Sequence, residues 1–318
     1  MQQPRENADS SPANDLSLVK AMLGLITRAI VRPYQPRKQP TKSVAIVIPL
    51  SSRPELLPEE RVSLDHLCHY LGDYDKFLIM PPGISAEMEG FSQVRFPSKF
   101  FGSAAAHNRL LMWPNFYRTF EDYEYMLMYH LDSLVLSSDI SRWCRAGFDY
   151  IGAPWVPCSD TPWVKEPRVG NGGFALMKIR SVLTVLYNRY RREPASFWSD
   201  LLTRNRVEFR WLFKMLRKLE SHFPDSRLVQ RPLEDWTITE KPDIHGRNND
   251  FFWSFEAVRF YPEFKVAPVN AGLEFAFEAA PRMCFEMNKG KLPFGCHAWT
   301  KFDRSFWEPY LVSAAGQS

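Results

Sequence analysis

The chain has 318 residues, 45% hydrophobic and 14% aromatic, with 25 Pro against 15 Gly and a formal net charge of +4. This composition excludes a disordered or low-complexity protein and allows one large α/β domain or two small ones. The charge gives no reason to expect nucleic acid as a partner, and the five scattered cysteines, without C-x-x-C spacing, indicate neither a disulfide framework nor a zinc knuckle, so a reducing cytoplasm is the expected compartment.

Residues 1–14 read as a disordered tail. From Asp15, a good N-cap, Leu16, Val19, Met22, Leu23, Ile26 and Ile30 recur at helical spacing, with Arg28, Arg32, Arg37, Lys38 and Lys42 close behind. A basic amphipathic helix of this kind either lies on an anionic membrane surface or packs on its own domain. Its longest apolar stretch, Ala21 to Thr27, is far short of the roughly 20 residues a membrane span needs, and no A-x-A-like site follows it. Residues 33–42 read as a linker to a domain over 43–311, and 312–318 as a tail.

Val44 to Pro49 is a buried strand by its β-branched run. It ends in Leu50-Ser51-Ser52-Arg53-Pro54, which is how a nucleotide-binding α/β domain begins, and Ser51 and Arg53 are donor-binding candidates. A second strand, Lys76 to Met80, ends in Pro81-Pro82-Gly83. A helical segment from Ser103 to Met112 carries His107, Asn108 and Arg109. Tyr125 to Leu136 reads as a strand buried on both faces, broken near its polar end by His130 and Asp132. Asp132 there either caps the following turn or enters the crevice outside the strand ends, where open α/β sheets bind ligands.

A short helix, a turn and another strand follow, and then a Trp- and Pro-rich loop. Val169-Gly170-Asn171-Gly172-Gly173 leads into an apolar strand; its glycines allow close approach of a ligand to backbone, or simply a tight turn. The spacing matches neither a dinucleotide fingerprint nor a P-loop. Residues 178–231 are helical in character, with a stripe from Trp211 to Leu219, and hold 13 Lys and Arg against 5 Asp and Glu. Such an excess fits a solvated helix face, an anionic acceptor or a lipid surface. Asp250 and His297 each sit among aromatic residues near the C-terminus.

The segments HNRLLM (107–112), HLDSLVL (130–136), VGNGGFAL (169–176), NNDFFWS (248–254) and FGCHAW (294–299) together resemble a bacterial and viral domain family of unassigned function. That family is similar in turn to the metal-dependent nucleotide-sugar glycosyltransferases with the GT-A fold, of the glycogenin-like group. The resemblance spans roughly residues 43–311 and implies an α/β fold of one large domain, with a mixed, mostly parallel sheet flanked by helices. It implies a donor diphosphate clamped by a divalent cation, Mn²⁺ or Mg²⁺, where an Asp-x-Asp closes the central strand. Here the motif retains the single acid Asp132, with His130 at the first position in one register, which favours Mn²⁺ over Mg²⁺ if His130 ligates. The resemblance makes His297 the second metal candidate and Arg109 the basic group reaching the donor, while Asn171, Gly172 and Gly173 form the turn on the donor sugar.

Asp250 matches the general base of inverting members, which takes the acceptor proton; in a retaining enzyme it would only position the acceptor. The implied activity is transfer of a sugar from a nucleoside-diphosphate donor to a glycan or lipid-linked acceptor, as in polysaccharide biosynthesis. The competing readings are a non-catalytic carbohydrate- or nucleotide-binding module and a metal-dependent phosphoester hydrolase using Asp132, His130 and His297. Peripheral membrane contact is expected, if anywhere, through residues 15–42 or the basic helices of 178–231.

Overall fold

The structure, a computed structural model, describes residues 21–29, 31–50, 55–194, 196–198, 200 and 248–312. The expected tail at 1–14, Ser51 and Arg53, the stripe from Trp211 to Leu219 and residues 313–318 lie outside the described residues. The chain divides into two compact units, one of Met1–Tyr34 with Tyr187–Lys241 and the other of Gln35–Leu186 with Pro242–Ser318.

In the smaller unit a helix, α1 (residues 21–29), forms where the apolar spacing predicts one. Thr27 and Val31 are buried, and the Thr27 hydroxyl turns back to donate to the Leu23 carbonyl at 2.6 Å. The same unit brings the rings of Tyr34 and Tyr187 to 5.9 Å.

The larger unit holds the sheet. Its first part runs β1 (Lys42–Pro49), α2 (Pro58–Leu71), β2 (Asp75–Met80), β3 (Phe91–Arg95), α3 (Ala104–Leu111), α4 (Pro114–Arg118) and β4 (Tyr123–Tyr129). There follow β5 (Leu134–Val135), α5 (Ile140–Arg145), β6 (Tyr150–Gly152), β7 (Pro154–Trp155), β8 (Arg168–Val169), β9 (Phe174–Lys178) and α6 (Ile179–Arg192), which ends in the smaller unit. Beyond the undescribed segment come α7 (Asn249–Phe251), a π-helical turn (Phe252–Glu256), α8 (Ala257–Phe260), α9 (Val269–Phe275), β10 (Ala276–Phe277), α10 (Pro281–Met287) and β11 (Gly295–Cys296).

Six strands form one sheet in the order β3-β2-β1-β4-β9-β6. The first four are parallel neighbours, and β9 runs antiparallel to both β4 and β6. This is the mixed, mostly parallel α/β sheet flanked by helices that the sequence predicts. Val44 to Ile48 of β1 and Tyr125 to Tyr129 of β4 are almost wholly buried, each large apolar side chain contributing up to about 1.5–3 kcal/mol. A sheet with such a centre fixes the ends of β1 and β4 within the rigid core.

The run from Tyr125 to Leu136 is not one strand. β4 starts earlier, at Tyr123, and stops at Tyr129; the chain turns through His130–Ser133, with Ser133 N donating to the His130 carbonyl at 2.9 Å. Leu134–Val135 then pairs antiparallel with β11 in a second sheet, ordered β10-β11-β5. Periodicity cannot see the break, because both sides of the turn are equally apolar and buried. What holds the turn is a polar network under it: the single O–H of Tyr129 is shared between the carbonyls of Ser63 (2.8 Å) and Ser133 (3.0 Å). On the same face of α2, His66 Nδ1 bonds the Val135 carbonyl at 2.8 Å while its Nε2 accepts from Val312 N at 2.9 Å, which fixes a neutral tautomer. Helix α2 thereby clamps the corner that presents Asp132.

Candidate active site

The corner after β4 presents His130 and Asp132, and β11 brings up His297. Trp299 N donates to the Asp132 carbonyl at 3.1 Å, and Gly295, paired with Val135, lies where a Cβ would collide with Phe174 and the Leu134 carbonyl. Ligand atoms of His130, Asp132 and His297 all lie within 4.8 Å of one another. Three sequence-predicted residues, drawn from two sheets and more than 160 positions of chain, therefore converge.

His297 sits between two carboxylates. Its Nε2 faces Asp132 Oδ1 at 3.3 Å and its Nδ1 bonds Glu278 Oε1 at 2.8 Å. Burial alone would lower its pKa, but hydrogen bonds and charge from Asp132 and Glu278 override that and raise it to about 10. Burial works against the Asp132 carboxylate too, yet the His297 bond and charge hold it at about 2. The Asp132 side chain is 48% exposed, so an incoming ligand can reach it.

Glu278 is absent from the sequence-derived site. It follows β10, whose residue Phe277 pairs in parallel register with Cys296, so Glu278 and His297 leave adjacent strands side by side. Asn171 Nδ2 donates to the same Glu278 oxygen at 2.6 Å, and Asn171 Oδ1 accepts from Gly173 N (3.0 Å) and Phe174 N (3.2 Å). The Asn171 side chain is thus committed inside the protein, where it braces the glycine turn against the Glu278–His297 pair. Glu278 carries the same signal as Asp132, an acid ending a short apolar run, in Phe275-Ala276-Phe277-Glu278.

His107, on α3 behind Ser103 as N-cap, was likewise no site candidate. Its Nε2 lies 3.1 Å from His130 Nε2, so one ring donates and the other accepts. Burial lowers His107 to about 4, and burial together with its imidazole neighbours lowers His130 well below its ordinary value, so both rings are neutral.

Asp250 occupies the other side of the glycine turn, at the start of α7. Asn108 on α3 staples that start: its Oδ1 accepts from Asn249 Nδ2 at 2.5 Å and its Nδ2 donates to Asn248 Oδ1 at 3.2 Å. Asp250 Oδ1 accepts from Phe251 N at 2.8 Å. Burial, and to a lesser degree the charge of Glu278, push the Asp250 carboxyl up to about 6. The two glycines separate the two halves. A Cβ on Gly173 would overlap the His297 ring, and one on Gly172 would stand 3.3 Å from Asp250 Cβ. Behind Asp250 an aromatic stack continues along the π-helical turn, with Phe251 and Phe255 at 4.3 Å and the Arg168 guanidinium 3.9 Å over Phe255. Arg109 lies two residues beyond His107, its Nη2 donating to the Lys99 carbonyl at 3.1 Å.

A divalent cation fits this donor set. His297 Nδ1–H is directed at Glu278, and its buried Nε2 faces Asp132 without an aligned hydrogen bond, so a cation at Asp132 would take the place of the proton that the two carboxylates hold on this imidazole. A carboxylate behind a ligating imidazole is the usual outer-shell arrangement of a metal site. Mixed nitrogen and oxygen donors suit Mn²⁺ better than Mg²⁺.

Among the described residues no helix is long and apolar enough to cross a membrane. Comparison with curated proteins finds no match. Among solved structures the chain is similar to a mannosyltransferase, PcManGT from Pyrobaculum calidifontis in complex with GDP-Man and Mn2+, at a TM-score of 0.29 and 15% identity over 54% of this chain and 56% of that one. The chain thus matches only about half of that protein's length. The family profile described as "Protein of unknown function (DUF5672)" matches residues 90–297, well over half of the chain, from β3 through His107, Asp132, the glycine turn and Asp250 to His297, and the chain belongs to that family.

Proposed function

We propose that the chain is a glycosyltransferase, moving a sugar from a nucleoside-diphosphate donor to a hydroxyl of a glycan or lipid-linked acceptor. One observation carries this reading: a single glycine turn separates a carboxylate held ionised beside two imidazoles, Asp132, from a carboxylate raised to about 6, Asp250. Two acids driven apart in this way suit two tasks, anchoring a cation and accepting a proton near neutral pH. The GT-A resemblance in the motif order, and a site at the carboxyl end of a central parallel strand, point the same way.

In this reading Asp132 and His297, with His130 beside them, hold the divalent cation, which when bound would neutralise charge on the donor diphosphate. Glu278 and Asn171 orient the His297 imidazole. Gly172 and Gly173 let the donor approach the backbone, and Arg109, Ser51 and Arg53 are assigned to its phosphates. Asp250 takes the proton of the acceptor hydroxyl as that oxygen bonds to the anomeric carbon and the anomeric C–O bond to the diphosphate breaks, releasing the nucleoside diphosphate. The exposed edge of the Phe251–Phe255 stack offers an apolar face beside this base for an acceptor sugar.

Titration calorimetry with a panel of nucleotide sugars and Mn²⁺ tests the proposal. One donor should bind in a Mn²⁺-dependent way and lose that binding in Asp132→Ala. No binding by any donor, with the variant indistinguishable from the parent, sinks it. The engagement of His130 by His107, together with the single acid of the motif, favours a second reading: a binding module without turnover. That reading expects donor binding without release of nucleoside diphosphate, and binding unchanged in Asp250→Asn.

A further inference from the structure

Helix α1 is apolar on two opposite sides. At 3.6 residues per turn Leu23, Thr27 and Val31 share one side, and Thr27 and Val31 are buried. Met22, Leu25 and Ile26 share the other with Ala29, and they are 61%, 65% and 40% exposed. The apolar spacing sets Met22, Leu23 and Ile26 on one stripe that either lies on a membrane surface or packs on its own domain; in the structure Met22 and Ile26 face outward, and the buried side is that of Thr27 and Val31. A helix that is apolar all round is ordinarily covered all round. Contiguous exposed apolar side chains mark a surface that meets something.

The charge around this stripe selects the occupant. From Ala21 to Tyr34 the chain carries Arg28 and Arg32, both exposed, and no Asp or Glu. The Tyr34–Tyr187 contact joins it to the end of α6, where Arg189, Arg191 and Arg192 follow. The described residues of this unit hold those five arginines against Glu193 and Asp200. A second copy of the chain would set like charge against like. An acidic protein would answer the arginines but leave a stripe of long apolar side chains to be matched, whereas a bilayer of anionic lipid answers both at once.

We propose that α1 lies in the plane of an anionic membrane, with Met22, Leu25 and Ile26 inserted at the acyl boundary and Arg28 and Arg32 at the headgroups. The proposal is independent of the sugar-transfer reading and stands if no nucleotide sugar binds. It is tested by flotation of the full chain with vesicles of phosphatidylcholine alone and of phosphatidylcholine with phosphatidylglycerol, at low and high salt. The triple variant Met22→Ser/Leu25→Ser/Ile26→Ser and the double variant Arg28→Glu/Arg32→Glu run alongside. Expected is salt-sensitive binding to the anionic vesicles only, weakened roughly tenfold or more in each variant. No vesicle binding, or equal binding to both compositions, overturns it. So does a dimer of the parent chain that the triple variant abolishes, because the stripe is then covered by a second copy. A clear loss of melting temperature in the triple variant overturns it as well, because the stripe is then covered by the chain itself.

Discussion

Asp132 and Asp250 are the same residue type on two sides of one glycine turn, and their surroundings drive them in opposite directions. Asp132 is half exposed and faces an imidazole that is itself held charged by Glu278, so its carboxylate stays ionised down to about 2. Asp250 is enclosed, with one backbone amide on its oxygen and a negative neighbour in Glu278, and it keeps its proton up to about 6. Glu278 acts on both halves at once, strengthening the cationic partner of one acid and repelling the other. The lesson is that the role of a carboxylate here is set by what lies behind it, one layer away from where a ligand would sit.

The most direct way to break the comparison is to neutralise each acid in turn, in the presence of a chelator. Asp250 gains its proton more readily folded than unfolded, so below pH 3.8 it has no effect on stability, and its burial costs stability increasingly as pH rises through about 6. Asp250→Asn should therefore stabilise the chain at pH 8 by up to roughly 3 kcal/mol and not at all below pH 4, as read from urea midpoints at the two pH values. Asp132 has the opposite sign: its stabilisation is present above pH 3.8 and is lost as pH falls toward 2, so Asp132→Asn should lower the midpoint at pH 8. Two shifts of the same sign would dissolve the contrast.

Next in size is Mn²⁺ affinity. Calorimetry or electron paramagnetic resonance of Mn²⁺ should show a loss on the order of 100-fold or more in Asp132→Ala and about 10–100-fold in Glu278→Gln, the usual range for an outer-shell partner. An unchanged affinity in Glu278→Gln would mean that the carboxylate behind His297 does not orient it. The smallest effects separate the two glycines. Gly173→Ala forces the His297 ring to move and should cost about 1–3 kcal/mol along with Mn²⁺ affinity. Gly172→Ala meets Asn249 Oδ1 at 3.2 Å and Asp250 Cβ at 3.3 Å, contacts tight enough for a loss under about 1 kcal/mol and none in Mn²⁺ affinity.

The legible parts of the molecule were those written locally. The β-branched run at Val44–Ile48 and the apolar run that begins at Phe174 declare buried strands, and Ser103 declares the start of α3. Asp132 stood out because it interrupts an apolar run, although the run's division into β4, a turn and β5 left no mark on periodicity. Glu278 and His107 escaped because their meaning depends on register. Only the pairing of Phe277 with Cys296 puts Glu278 behind His297, and only the packing of α3 puts His107 against His130. Which side of α1 packs is not written locally either: helical spacing shows a stripe with Met22 and Ile26 and leaves open whether it packs or faces outward, as it does here.

The reversal of β9 has a further consequence. In a sheet whose strands all ran one way, only loops that leave strands would reach the crevice beyond β4. Because β9 enters there, Tyr129 pairing with Phe174, the crevice receives one loop that departs and one that arrives. Changes in the arriving loop, from Gly170 to Gly173, would be felt at the ligand before any strand is altered, so ligand preference and sheet stability can change separately among relatives that keep β4 intact.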